Sequence, residues 1–110
     1  MDTVGTLVIK NTVRGGKQIE HSGDIIIMGD VYAGTTITAG GNITVMGKAT
    51  GSLTAGARIG DMAIIAVNKF NSAYIRIGRY SARHETEAIV GPVFLSVENG
   101  QIMCKRIGTK

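Results

Sequence analysis

Short apolar runs separated by glycine corners, not long amphipathic stretches, make up most of this chain. The run Gly23-Asp24-Ile25-Ile26-Ile27-Met28-Gly29 returns 18 residues later as Gly41-Asn42-Ile43-Thr44-Val45-Met46-Gly47. A looser copy, Gly60-Asp61-Met62-Ala63-Ile64-Ile65-Ala66, follows 19 residues further on. The segments between also align: 16–23 lies 18 residues before 34–41, and 51–56 repeats the same shape one residue short of that period. Such a unit is too short for a helix pair or a propeller blade. Its runs of Ile, Val and Thr read as strands, and Gly-Asp, Ala-Gly and Gly-Gly as the bends between them. The pattern predicts an all-β solenoid in which each unit is one coil and equivalent strands stack in parallel, about 4.8 Å apart. Ile25/Ile27, Ile43/Val45 and Met62/Ile64 should face inward on one side, and Ile19, Ile37 and Leu53 on another. No unit could bury its apolar side alone.

The coils proper are expected over about 16–80, with Thr6-Leu7-Val8-Ile9 as a short strand leading in. Residues 67–72 are longer than their counterparts and read as a protruding loop carrying Phe70. Residues 73–78 alternate apolar and polar, as a half-buried strand does. The β pattern breaks over 81–90, where 83–87 suggest a loop or one helical turn. Asn99-Gly100 between the runs 93–97 and 101–105 predicts a hairpin. That hairpin would cap the open end of the solenoid, whose unpaired backbone groups would otherwise recruit strands.

Composition narrows the function classes. Sixteen glycines against one proline in 110 residues argue for many tight corners in one packed domain, 1–110. The net charge of +4 is spread too thinly for a nucleic-acid site. One cysteine excludes an internal disulfide and suits a reducing compartment. With no basic, apolar leader and no apolar run of about 20 residues, the chain reads as cytoplasmic. Asp24, Asn42 and Asp61 share a repeat position and are read as Asx side chains bonding turn amides. His21 and His84 lack partners at metal-ligand spacing, and Cys104 lacks a nearby base. No catalytic constellation emerges, so neither an enzyme nor a cofactor is expected. Val31, Tyr32, Phe70, Tyr74 and Tyr80 could be an exposed apolar surface or core. Arg14-Gly15-Gly16-Lys17 could hold an anion on backbone N–H groups, or could simply turn a corner with solvated charges.

Taken in order, Val13-Arg14-Gly15-Gly16, GDIIIMGDVYAG (23–34), AGGNITVMG (39–47) and TAGARIGDMAIIA (54–66) resemble the C-terminal domain of the bacterial septum-site-determining protein MinC, over about 12–107. Gly78-Arg79-Tyr80 and the closing ENGQIMCKRI (98–107) resemble that family's end. The resemblance implies a short, right-handed, three-sided parallel β-helix of three to four coils that forms a homodimer through one apolar side. It implies docking on the ATP-bound, membrane-associated ATPase MinD, contact with the FtsZ C-terminal tail, and a part in blocking FtsZ polymers away from midcell. The membrane would be reached only indirectly, at its inner face, through MinD. The family's MinD-contact motif, Arg-Ser/Gly-Gly-Gln, reads here Arg14-Gly15-Gly16-Lys17 followed by Gln18, so Lys17 stands where the family has Gln. Gly34 matches a further family glycine on that surface, so Arg14, Gly15, Gly16, Lys17 and Gly34 are the expected MinD-binding residues. The family's N-terminal domain, which carries much of the FtsZ inhibition, is expected to be absent from this chain, whether as an excised domain or as a short form. The competing reading is a bactofilin-like structural β-helix that polymerises end to end. A carbohydrate-active β-helix enzyme would need a longer solenoid and a cleft lined by acids and aromatics.

Overall fold

The computed structural model describes residues 5–71, 74–83 and 89–108. Four parallel strands, β1 (Leu7–Ile9), β3 (Ile25–Ile27), β5 (Ile43–Ala49) and β7 (Ile65–Phe70), stack as one side of the solenoid, here sheet A. A second side, sheet B, is built from β2 (Gln18–His21), β4 (Thr36–Ala39), β6 (Ser52–Ala55) and β8 (Tyr74–Ile77), also in parallel. The third side is narrow. Isolated parallel bridges join Val13 to Val31 and Val31 to Ala49, and the last stretch of β7 continues the row with Phe70 over Ala49. The solenoid of parallel coils is thus as expected, but it starts one coil early: β1 pairs with β3, so Leu7–Ile9 is a full winding member and not a lead-in.

The windings keep their register because the inward positions are filled by branched aliphatics of matching size. Leu7–Ile25–Ile43–Ile65 and Ile9–Ile27–Val45–Val67 form two rows in sheet A, and Ile19–Ile37–Leu53–Ile75 forms one in sheet B. Ile25, Ile37, Ile43, Leu53 and Ile65 are wholly buried, each contributing about 1.5–3 kcal/mol. At one corner the windings come too close for a side chain. A β-carbon at Gly40 would stand 2.0 Å from the Ser22 carbonyl oxygen of the winding before.

The third repeat departs from its expected register. Met62 and Ile64 face solvent, 75% and 42% exposed, while Ala63, Ile65 and Val67 are the inward residues. The cause is an insertion. The corner after β6 carries a single 3₁₀ turn, Gly60–Met62, so Ile43 pairs with Ile65, 22 residues on. Gly60-Asp61 therefore resembles Gly41-Asn42 in composition but sits in a different place. In the opposite sense, Thr36 pairs with Ser52, a step of 16 where the glycine spacing gives 17.

The Asx side chains bond backbone amides as expected, and in the first two coils they stack in columns. Asp24 Oδ1 accepts the Asn42 amide at 2.7 Å, and Asn42 Oδ1 accepts the Ile64 amide at 2.7 Å. A second column has Thr12 Oγ1 accepting from the Asp30 amide and Asp30 Oδ1 from the Lys48 amide. Asp61 is outside both columns. It accepts the Arg79 amide at 3.1 Å and Arg79 Nε at 2.9 Å, and this holds its carboxyl below the usual carboxylate range. The tie is therefore present at neutral pH and lost as the pH falls through that lowered pKa. Asn42→Ala removes an acceptor from one winding and a donor to the other. It is expected to lower stability by about 1–3 kcal/mol, read from urea unfolding followed by circular dichroism.

The C-terminal part differs from expectation in two places and matches it in a third. Residues 65–70 are strand, not a protruding loop, and Phe70 is buried at 3% exposure; Ser72 lies outside the described residues. β character continues through β9 (Tyr80–Arg83), antiparallel to β8, where a break was expected; of that segment, 84–88, including His84, lie outside the described residues. The Asn99-Gly100 hairpin is present as β10 (Ile89–Glu98) and β11 (Gln101–Arg106), with Asn99 at φ 53° and Gly100 at φ 78°. It covers the end of the solenoid by pairing antiparallel with the open edge of β7, extending sheet A and placing Val93 and Leu95 in the core.

Candidate docking corner

The corner between the third side and sheet B gathers the residues singled out in the sequence. Val13 is pinned in the core, its amide donating to the Asp30 carbonyl at 2.8 Å and its carbonyl accepting from Tyr32 at 2.9 Å. Arg14 follows at once and so emerges at the surface, one winding below Tyr32. The Arg14 guanidinium carbon lies 5.2 Å from the centre of the Tyr32 ring, a cation–π contact of about 0.5–1 kcal/mol at an exposed site. Among the described residues the ion pairs are Asp61–Arg79 and Glu98–Lys105, and Arg14 belongs to neither.

Backbone shape does the rest. Gly15, Gly16 and Gly34 have φ of 76°, 69° and 85°, a region that a β-carbon strains. In the upper winding the Thr35 amide donates to the Tyr32 carbonyl at 3.1 Å, closing a tight turn with Gly34 inside it. Gly16 and Gly34 are neighbours: a β-carbon built on Gly16 would lie 4.0 Å from the Gly34 carbonyl oxygen. Lys17 is exposed, and its carbonyl accepts the Thr36 amide at 3.0 Å, which ties the two turns together where sheet B begins. Arg14, Gly15, Gly16, Lys17 and Gly34 thus share one exposed corner, a low platform of bare backbone with a guanidinium at its side. Such a surface suits close approach by a partner's backbone and a forked bond to a carboxylate or carbonyl.

Tyr32 belongs to this corner as well. The sequence placed it among undecided aromatics, yet it lies 18 residues after Arg14, one full repeat, and that spacing was the signal for the stack. Of the others, Val31 and Phe70 are core, Tyr32 is 45% exposed, and Tyr74 and Tyr80 are half-buried.

His21 Nε2 bonds the Gly5 carbonyl oxygen at 2.7 Å. Burial pushes the Cys104 thiol above its ordinary pKa, opposite to what a nucleophile needs. No group of three or more metal-ligating side chains occurs among the described residues. Among them, too, no helix is long and apolar enough to cross a membrane.

The family model for the septum formation inhibitor MinC, C-terminal domain, matches residues 7–107. Among solved structures the chain is similar to one from the MinC:MinD cell division protein complex of Aquifex aeolicus. The two are 37% identical over 96% of this chain and 89% of that one, with a TM-score of 0.89. No curated protein matches. A match that spans nearly every winding, on a fold with the expected stacked corners, settles the family: this chain belongs to the C-terminal domains of the septum formation inhibitor MinC.

Proposed function

We propose that this chain is a division-inhibitor module that docks on ATP-bound MinD through the Arg14 corner and is carried by it to the inner face of the membrane. There it helps to block FtsZ polymers away from midcell, with the FtsZ C-terminal tail as its second partner. The observation that carries the reading is the gathering of Arg14, Gly15, Gly16, Lys17 and Gly34 on one exposed corner. The likeness to a chain of a MinC:MinD complex supports MinD as the partner. The test is co-sedimentation with MinD and liposomes in ATP and in ADP. The chain is expected in the pellet with ATP and in the supernatant with ADP. Pelleting that ignores the nucleotide would remove the reading.

The same reading makes the module a homodimer, and the outer face of sheet A supports this. Val8, Ile26, Thr44, Ala66 and Phe94 form one outward row across five strands. Met28 and Met46, 49% and 55% exposed, lie beside it. Two copies set face to face about a two-fold axis would cover this band. The bactofilin-like reading requires the parallel stack to continue from one molecule into the next. Both sheets instead end in antiparallel strands at the C-terminal side.

Tyr32 should matter for docking by holding Arg14 in place before the partner arrives, which lowers the entropy lost on binding. Tyr32→Ala is expected to weaken MinD binding about threefold to tenfold, near 1 kcal/mol. Tyr32→Phe keeps the ring and should bind as before. Titrations of labelled MinD against the two variants separate a ring effect from a hydroxyl effect.

A further inference from the structure

At the far end of the sheet B strands from Arg14, three arginines from three elements meet. Arg58 follows β6, Arg76 lies in β8 and Arg79 in the turn to β9. They line one open groove of about 670 Å³, together with Thr54 and Tyr74. Among the described residues Asp61 is the one carboxylate lining it, and it is taken up by Arg79. Arg58 and Arg76 are steadied through their Nε atoms alone, which donate to the Ser22 carbonyl at 2.9 Å and the Gly78 carbonyl at 3.0 Å. Neither has a carboxylate within ion-pair distance among the described residues.

Among the described residues, three cations against one anion favour an acidic ligand. Its class follows from what else the groove offers. The amides of this corner are occupied: Gly56, Ala57, Arg58 and Gly78 donate to carbonyls of neighbouring windings, and Arg79 donates to Asp61. Those five amides are therefore not available for the backbone cradle that loops use for phosphate. What remains is guanidinium forks and hydroxyls, which suit carboxylates. A second groove of about 650 Å³, lined by Glu20, His21 and Thr38, shares Ala57 and Arg58 with the first. A long trough fits an extended chain and not a flat bilayer. The Glu20 carboxylate at its far end opposes a uniformly charged polyanion.

We propose that this trough binds an extended acidic peptide segment, with carboxylates on Arg76 and Arg58. The proposal rests on the reading above for the existence of a second, tail-like partner, and on the groove for its place and its acidic character. The test is fluorescence anisotropy, at low salt, with a fluorescein-labelled decapeptide whose one half alternates Glu and Ala and whose other half alternates Gln and Ala. The protein is expected to bind it, and the Arg58→Gln/Arg76→Gln double variant to bind at least about tenfold more weakly. The Gln/Ala peptide should not bind, and Arg14→Ala should bind as the parent does. Absence of binding, or equal binding by the double variant, would overturn the proposal. So would displacement of the label by inorganic phosphate or by phosphatidylglycerol vesicles as readily as by unlabelled peptide. Loss of MinD pelleting in Arg14→Ala with peptide binding intact separates this site from the docking corner.

Discussion

Replacing Arg14 with alanine is expected to reduce ATP-dependent pelleting with MinD and liposomes to the level seen without MinD, while the melting temperature falls by no more than about 4–8 °C. The side chain is exposed, and its recorded contact is the Tyr32 ring, so its loss should change folding stability by no more than about 0.5–1 kcal/mol. Binding is a different matter. A guanidinium that is pre-oriented, without a carboxylate partner among the described residues and flanked by bare glycine backbone has the features of an interface anchor. Truncating such a residue costs about 2–4 kcal/mol, which is about thirtyfold to a thousandfold in affinity. Arg14→Lys should also bind poorly, because an ammonium keeps the charge but loses the planar fork. Binding that survives both changes would move the partner surface elsewhere.

Ile43→Ala should cost about 2–5 kcal/mol, a large share of the 5–15 kcal/mol that holds a typical domain together. Ile43 is wholly buried between Ile25 below and Ile65 above, in the middle of sheet A. Adjacent windings cannot close on the cavity without breaking their own register. Met62→Ala is the matching control, since Met62 is 75% exposed and its loss should fall within about 0.5 kcal/mol. Urea midpoints for the two variants, at unchanged m-value, decide between the register in which Ile65 is inward and the one in which Met62 and Ile64 are.

The contrast between those two residues marks how far the sequence can be read. Ile25 and Ile43 were legible because the first coils have equal length, so glycines and Asx residues recur at a fixed step and the inward positions follow by counting. Met62 was misread because an insertion in the corner brought a Gly-Asp pair close to the expected spacing, and local resemblance cannot tell a corner from a strand start. Phe70 was hidden in another way. Asn68 and Lys69 beside it look like a loop, and only the small Ala49 beneath, 21 residues earlier, makes room for the ring. At the docking corner, Arg14, Gly15, Gly16, Lys17 and Gly34 carried a motif and a period, whereas the Tyr32 stack depended on applying that period to a side chain outside the motif. The groove of Arg58, Arg76 and Arg79 had no sequence signature, because its members come from three elements whose meeting depends on the inserted corner.

The most direct measurement is amide-signal attenuation in the labelled chain on adding ATP-bound MinD. The account predicts that signals from residues 14–17 and 32–35, separated by one winding, fade together, while those of Arg58 and Arg76 persist. Attenuation centred on sheet A or on the arginine groove, with the Arg14 and Gly34 signals unchanged, would contradict it.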